Sequence, residues 1–207
     1  MPDPITERIA EWGIHKLGFA LVNKTDGVIT SFGAVTMHPG VISLNVSAGN
    51  NTDNAFAADD GRYYGGAGSK TKTGELVVAL FNNWFRTNVL GEISEGGGLG
   101  EGDAASAEFA MLWETNSDQG GTRNVWYDCT AGDIVKNFQT TTVDGTVTYA
   151  TETSTITSAI AELPNGERRR KWSCEKGSAN YETFFDAVFF PTSGTTTTGD
   201  TTTTTNP

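Results

Sequence analysis

Residues 16–27 of the chain read Lys16-Leu17-Gly18-Phe19-Ala20-Leu21-Val22-Asn23-Lys24-Thr25-Asp26-Gly27. Leu17, Phe19 and Leu21 occupy every second position, which is the period of a β-strand. Asp26-Gly27 follows, and this pair readily adopts the backbone of a tight hairpin turn. The stretch therefore predicts a strand that turns back to pair with the next segment.

The same combination of strand-forming runs and turn residues recurs along the chain. Asp144-Gly145 separates Phe138–Val143 from Thr146–Thr157, Pro164-Asn165-Gly166 separates Ile156–Leu163 from Arg168–Cys174, and His38-Pro39-Gly40 interrupts the extended stretch Val35–Val46. Repeated short strands with such turns are typical of a β-sandwich or barrel. We therefore predict a mainly β fold.

Two segments favour helices. Gly74–Phe81 reads as a strand, after which Asn82 or Asn83 can cap a short helix that contains Trp84, Phe85, Val89 and Leu90 and ends at Gly91. The second segment is Asn180–Val188, in which Tyr181, Phe184, Phe185 and Val188 form a stripe. The adjacent Phe189-Phe190 fits a strand equally well, so helix and strand both remain open there. The prediction is one or two short helices lying against the sheet.

Length and charge limit the classes of protein that fit. The 207 residues include 25 acidic and 14 basic side chains, for a formal net charge of -11. Such a chain repels polyanions, which disfavours a free-standing nucleic-acid binder. No stretch approaches the ~20 apolar residues that cross a bilayer. With only Cys129 and Cys174, a disulfide scaffold is disfavoured as well.

The two ends of the chain differ from its middle. Residues 192–207 contain no aliphatic or aromatic side chain, so nothing offsets the entropy lost on ordering them. We expect residues 1–191 to form one domain, followed by a flexible Thr-rich tail over residues 192–207. The first residues lack the basic and apolar segments of a secretory signal, which predicts a cytosolic protein with reduced cysteines.

Residues suited to catalysis or metal binding form no recognisable motif. Gly98–Gly102 lacks the spacing of a dinucleotide fingerprint, and the lysine of Gly65–Thr71 does not follow a glycine as in a phosphate loop. His15 and His38 match no catalytic or metal-ligand pattern. Cys129 and Cys174 lie among aromatic residues, which favours buried, unreactive thiols. We expect neither an enzyme nor a cofactor or metal site.

Two segments are candidates for protein contacts. The polar stretch Ser47–Thr73 contains Asp59, Asp60, Tyr63 and Tyr64, and a loop of that length inside a compact domain usually has a function. Arg168, Arg169, Arg170 and Lys171 form the one concentrated positive charge. Strand alternation predicts Arg168 and Arg170 on one face and Arg169 and Lys171 on the other. That arm fits a solvated hairpin, a patch that meets acids of a neighbouring subunit, or, third, a DNA contact.

Several short motifs are informative because of their order along the chain. They are Pro39–Leu44, Ala58-Asp59-Asp60, Thr73–Phe81, Val89–Glu92, Ala110–Glu114, Gly120-Gly121 and Phe184–Pro191. In this order and spacing, residues 12–191 resemble the major tail proteins of long-tailed siphophages, the subunits of the phage tail tube. The resemblance implies a β-sandwich protomer with a flanking helix, which assembles into stacked hexameric rings around a DNA channel.

The resemblance also implies partners and a location. The protomer would pair sheet edges with further copies of itself, and the tube would meet the tape measure, tail terminator and distal tail proteins. Hairpin arms would reach neighbouring subunits, which makes Asp59, Asp60, Tyr63 and Tyr64 and the Arg168–Lys171 arm the interface candidates. DNA would be transiting cargo, no part would insert into a membrane, and the protein would pass from the host cytoplasm into the virion tail.

Charge gives a separate reason to favour a conduit. A channel that lets a polyanion slide needs a neutral or acidic lining, because cations would bind the phosphates. Lysines along the lumen would contradict this prediction. The alternative class is an extracellular carbohydrate-binding β-sandwich, which predicts an exposed aromatic platform for glycans.

Overall fold

The computed structural model describes residues 10–48, 54–58, 61–66, 71–117, 120–138 and 149–190. The protein is mainly β, with 58% strand and 4% helix, which confirms the predicted fold class. The strands before the helix are β1 Glu11–Thr25, β2 Val28–Phe32, β3 Thr36–His38, β4 Val41–Ala48, β5 Asn54–Ala58, β6 Gly61–Gly66 and β7 Lys72–Val78. The helix is α1 Asn83–Asn88. The strands after it are β8 Ile93–Glu95, β9 Gly98–Gly100, β10 Phe109–Ser117, β11 Gly120–Ala131, β12 Val135–Asn137, β13 Thr151–Ser158, β14 Ala161–Glu162, β15 Arg168–Arg169 and β16 Lys171–Glu175.

A ten-stranded antiparallel sheet dominates the molecule. Its main path runs β2-β1-β10-β11-β13-β7-β4, with β3 paired to β1, β16 to β11 and β12 to β13. The pairs β5–β6, β8–β9 and β14–β15 form three separate two-stranded hairpins. Because β4 at one end of the path also contacts β1, the sheet curls over on itself.

Each face of the sheet's central strands covers its own apolar core. Leu17, Phe19, Met111 and Trp126 point into the first core, which the curled β7 and β13 and the helix close. The next positions along these strands, among them Ala20, Ala110, Leu112, Val125 and Tyr127, point into the second core. The central strands are thus buried on both sides, which explains why β10 has no polar residue before Glu114.

The opening hairpin forms as predicted. Thr25 pairs with Val28 across the turn, and Asp26 and Gly27 both have positive φ angles, of 52° and 80°. Two successive left-handed residues make the turn whose twist matches that of the paired strands. The Asp26-Gly27 pair therefore determines the turn between β1 and β2.

The helix forms where it is predicted but is shorter, since it ends at Asn88 with Val89 as its C-cap instead of continuing through Leu90 to Gly91. The side chain of Asn82 accepts a hydrogen bond from the Phe85 N–H at 2.9 Å, which caps the first turn. Phe85 is fully buried in the first core, and Gly91 follows with a φ of 75°. The helix lies on the sheet because its apolar side fills the opening that the curled sheet leaves.

The second core is covered by residues 176–190, which we call the C-terminal strap. Tyr181, Phe184 and Val188 are buried there, so the predicted apolar stripe exists. The segment is neither helix nor strand but a series of turns, with the Tyr181, Phe184 and Asp186 N–H groups each bonded to the carbonyl three residues earlier. Arg123 also donates to the Tyr181 carbonyl, which in an α-helix would accept a backbone hydrogen bond from the residue four positions later.

Two predicted hairpins need adjustment. Pro164-Asn165-Gly166 does form a turn, but it joins only β14 to β15, and β16 pairs with β11 instead of continuing the hairpin. β12 pairs with β13, and the pair nearest the connection is Asn137 with Thr151. This pairing agrees with the predicted hairpin around Asp144-Gly145, but that turn lies outside the described residues. Residues 192–207 lie outside them too. No helix among the described residues is long and apolar enough to cross a bilayer.

Candidate assembly site

The curled sheet leaves a seam between β1 and β4, which we call the seam cleft. Among the described residues, β4 pairs only with β7, so its other edge has no strand partner. On the facing side of β1, β3 pairs with Leu17–Phe19 and β2 with Val22–Thr25, and no strand in the described part of the chain pairs with residues 12–16 there. Unpaired edges of this kind carry a row of hydrogen-bonding groups that another strand can meet.

Apolar side chains line the seam cleft. It encloses about 440 Å³, and Trp113 and Trp126 form its floor. At the rim, Trp12, Ile42 and Val46 keep 54%, 51% and 46% of their surface exposed to solvent. Exposed apolar groups beside an open edge strand are a recurrent property of protein contact surfaces.

Local backbone features shape this cleft. β1 has two register shifts against β10, between Trp12 and Ile14 and between His15 and Leu17, and Gly13 and Lys16 have positive φ angles of 63° and 52°. Bulges of this kind re-aim the side chains beside them. At the floor, a Cβ on Gly74 would lie 2.9 Å from Leu44 and 3.3 Å from Trp126, so only glycine allows this close packing of β7.

Three lysines lie near the cleft and the strap, two of them at the cleft and one on the strap side of the sheet. Lys72 and Lys171 line the cleft together with Glu11. Lys16, the bulged residue of β1, instead reaches Glu114 of β10 at 3.1 Å, on the strap side of the sheet. The cleft rim therefore combines apolar groups with charges of both signs.

A buried charge cluster around Glu114 fixes the strap. Its carboxylate accepts hydrogen bonds from Arg123 Nε at 2.7 Å and from the Tyr181 hydroxyl at 3.2 Å, and His15 Nε2 lies 2.9 Å away. The Arg123 guanidinium stacks 3.9 Å from the centre of the Tyr181 ring. Burial alone would raise the pKa of Glu114, but Arg123 and Lys16 outweigh it and lower the pKa to about 2. The strap is therefore held by charge as well as by apolar contact.

A second buried cluster, around Glu152, fixes the helix. Glu152 of β13 is fully buried and accepts from the Phe81 N–H at 2.7 Å, from Arg86 of α1 at 2.7 Å and from Lys136 of β12 at 3.2 Å. Burial opposes its ionisation, yet the Phe81 N–H and the two cations lower the pKa of Glu152. Beside it, His38 is buried and accepts from the Asn82 N–H, and burial lowers the pKa of His38.

The cysteines behave as predicted. Cys129 and Cys174 are both buried and unpaired with each other. Burial raises the pKa of both thiols, which leaves them protonated and unreactive at neutral pH. No group of three or more His, Cys, Asp or Glu side chains that could hold a metal occurs within the described residues.

Of the first set of predicted contact residues, Tyr63 and Tyr64 lie in a hairpin rather than in a loop. Tyr63 and Tyr64 belong to β6, which pairs with β5, and Phe56 stands opposite Tyr64. Asp59 and Asp60 lie outside the described residues. Since β5 and β6 fall between β4 and β7 in the chain, the described part of the Ser47–Thr73 stretch inserts a second hairpin between the paired strands β4 and β7.

The second set, Arg168–Lys171, spans a bend in the chain. The predicted two-faced alternation of Arg168–Lys171 is wrong, because the chain bends at Arg170 between β15 and β16. Arg168 and Lys171 are exposed, while Arg169 and Arg170 are half-buried. Arg169 pairs with Glu167 at 2.6 Å, and the Arg170 carbonyl accepts from the Tyr127 N–H. Of the four, only Lys171 reaches the seam cleft.

Sequence reasoning missed the three exposed rim residues Trp12, Ile42 and Val46. Ile42 and Val46 alternate with Ser43, Asn45 and Ser47, a signal that was available in the sequence. Trp12 gave no signal, because its direction depends on the bulges of β1. No protein-family model matches the chain, and no curated protein matches its sequence.

Proposed function

We propose that this chain is a structural virion protein, the subunit of a siphophage tail tube, which polymerises as stacked, hexameric rings around a channel for DNA. Its first partner is a further copy of itself. Tape measure, tail terminator and distal tail proteins complete the tail, and assembly takes place in the host cytoplasm. The proposal includes no catalytic activity and no cofactor.

One observation carries the proposal: the seam cleft, where an unpaired edge strand borders exposed apolar side chains. A monomer exposes Trp12, Ile42 and Val46 at a cost, since burying apolar surface contributes roughly 25 cal/mol per Å². A strand from a second copy, added along β4, would satisfy the open edge and cover these groups together. The same contact repeated around a ring closes a large sheet in which no subunit keeps an open edge.

The buried charges support a structural role. The Glu114 cluster joins β1, β10, β11 and the strap, and the Glu152 cluster joins β12, β13 and the helix. Each carboxylate is occupied by cations or N–H groups that hold elements together. Such networks stiffen a protomer, which suits a subunit that must repeat with the same shape many times.

The test is assembly of the purified full chain. At rising concentration, negative-stain electron microscopy should show rings or hollow tubes, and sedimentation velocity should show discrete large species in place of monomers. A chain that stays monomeric at all concentrations, salts and temperatures tried, with or without a nucleating tail-tip fraction, would refute the proposal.

One observation favours the alternative of a carbohydrate-binding module. Phe138 directly follows β12 and Tyr149 lies two residues before β13, and their side chains are 77% and 82% exposed. Exposed aromatic rings form the platforms on which sugar rings stack. A glycan array tests this alternative. Saturable glycan binding by the wild-type protein that is lost in Phe138→Ala would favour the module, provided that the wild-type protein forms no tubes.

A further inference from the structure

The outer face of the curled end of the sheet has an unusual composition. We call it the hydroxyl face, and it consists of the side chains of β4, β7, β12 and β13 that point away from the first core. Register places these side chains in rows across the strands, as in Asn45–Glu75–Thr155 and Ser47–Thr73–Thr157. Its members are Ser43, Asn45, Ser47, Thr73, Glu75, Val77, Val135, Asn137, Thr151, Thr153, Thr155 and Thr157.

Alternation separates this face cleanly from the core. Along β13 the threonines are half-buried or exposed, whereas Glu152, Ser154, Ile156 and Ser158 between them are buried. Along β7, Leu76 and Val78 enter the first core and leave Glu75 and Val77 outside. The hydroxyl face is therefore a regular, solvent-facing sheet surface. Ser47 and Thr73 hydrogen-bond across it at 2.7 Å.

The face contains no cation at these described strand positions. The two lysines of its strands both lie on the other side of the sheet. Lys72 lines the seam cleft, and Lys136 pairs with the buried Glu152 at 3.2 Å. Glu75 is the single charged member of the face, and it is an acid.

This arrangement differs from an ordinary solvated surface. Exposed sheet faces usually mix lysine, arginine and acids, which are the most soluble side chains. The opposite side of this protein follows that rule, with Arg168, Lys176, Glu182 and Asp186 exposed on and around the strap. Threonine keeps the strand propensity of a β-branched residue and stays hydrophilic without charge. At these positions the hydroxyl face is thus hydrophilic but offers a phosphate backbone only uncharged hydrogen-bond donors and no positive charge.

We propose that the hydroxyl face lines the channel of the assembled tube and that the molecule passing along it is double-stranded nucleic acid. This inference rests on the proposed function and adds to it the identity of the lumenal surface. A polyanion slides along hydroxyl and amide groups because no counterions are released on contact, and Glu75 repels phosphates. The face also adjoins the open edge of β4, so that edge-to-edge assembly would continue it from one subunit to the next.

The experiment uses cysteine accessibility in assembled tubes. Thr155→Cys places a thiol at the exposed centre of the face, and Ser47→Cys places one at an exposed position of β4, in the row Ser47–Thr73–Thr157. The native Cys129 and Cys174 are buried, so the wild-type protein measures the background. The probes are N-ethylmaleimide, which is small enough to enter a channel, and a maleimide linked to streptavidin, which is not.

We expect both variants to react with both probes before assembly, and with N-ethylmaleimide alone after assembly. Reaction with the streptavidin probe along whole tubes would place the face outside and overturn the inference. Loss of reaction with both probes would place it in a subunit contact and also overturn it. Either result leaves the tubes, and hence the proposed function, intact. Failure to form tubes in the wild-type protein as well would instead refute the proposed function and the inference with it.

Discussion

Glu114 is the residue on which the closure of the second core depends most. Its side chain is 8% exposed and binds Arg123 at 2.7 Å, while Arg123 also holds the strap through Tyr181. Glu114→Gln should lower the free energy of unfolding by about 3 kcal/mol, because removing one member of a buried ion pair leaves the other uncompensated. Urea denaturation followed by tryptophan fluorescence measures the loss.

The matched control is Glu108→Gln. Glu108 also pairs with a lysine, Lys24, at 2.8 Å, but it is 42% exposed. An exposed pair contributes less than about 1 kcal/mol, since water and salt screen it. Equal losses in the two variants would show that the Glu114 cluster does not hold the strap.

The pH dependence of stability should report the same carboxylate. The pKa of Glu114 is about 2 in the folded protein against 4.5 ordinarily. Between these values the unfolded chain binds a proton that the native protein does not, so stability rises with pH. The contribution is complete above about pH 4.5 and is lost as the pH falls toward 2.

The measurement is the free energy of unfolding of wild type and Glu114→Gln across this window. We expect the wild type to lose about 3 kcal/mol more than the variant, so that the two curves converge at the acidic end. Other groups such as Glu152 and His38 titrate in both proteins and cancel in the difference. Parallel curves would contradict a lowered pKa at Glu114.

At the scale of elements, the sequence predicted the hairpin and the helix, whose formation depends on residues close together in the chain. The β1–β2 hairpin follows from Asp26-Gly27, and the helix follows from the Asn82 cap and the buried stripe behind it. The strap could not be predicted, because its backbone depends on Arg123, which is 58 residues away along the chain. The pairing of β16 with β11 could not be predicted for the same reason, because the two strands are far apart in the sequence.

The seam cleft was only partly predictable. The open edge of β4 and the exposure of Ile42 result from how far the sheet curls, which no local pattern records. The predicted interface residues were chosen by polarity and loop length, whereas Trp12, Ile42 and Val46 at the rim of the cleft are apolar and belong to strands. Of the four predicted residues of the Arg168–Lys171 arm, only Lys171 lies at the cleft, because the bend at Arg170 separates it from the other three.

A lysine at the cleft rim should separate folding from assembly. In Ile42→Lys the side chain is already 51% exposed, so circular dichroism and the urea midpoint should stay close to wild type. Burying that unpaired charge under a second copy is costly, and we expect the concentration needed for tubes to rise at least ~10-fold. Sedimentation of assembled material against concentration measures it.

Leu80→Lys is the control for this variant. Leu80 is 56% exposed and lies outside the cleft, so the substitution adds the same charge at a similarly exposed apolar site. This variant should assemble as the wild type does. If Ile42→Lys also assembles at wild-type concentration, the seam is not the contact between subunits.

At the scale of the whole molecule, the net charge of -11 is distributed unevenly. Several cations are consumed inside the protein: Arg123 and Lys16 by Glu114, Arg86 and Lys136 by Glu152, and Lys24 by Asp128. Cations paired in this way are unavailable to phosphates. Among the residues whose side chains the structure describes, the exposed cations Lys72, Lys171 and Lys176 lie at the seam cleft and on the strap, away from the hydroxyl face.

This distribution predicts how tubes should treat DNA. Wild-type tubes mixed with short duplex DNA during assembly should retain none after gel filtration at low salt. Thr155→Lys repeats a cation around every ring of the hydroxyl face, so its tubes should retain duplex, and retention should fall steeply between roughly 50 mM and 200 mM salt as counterions compete. Ala179→Lys adds the same charge at an exposed position of the strap and should leave the lumen unchanged. Retention by Ala179→Lys but not by Thr155→Lys would mean that the strap side, rather than the hydroxyl face, meets the nucleic acid.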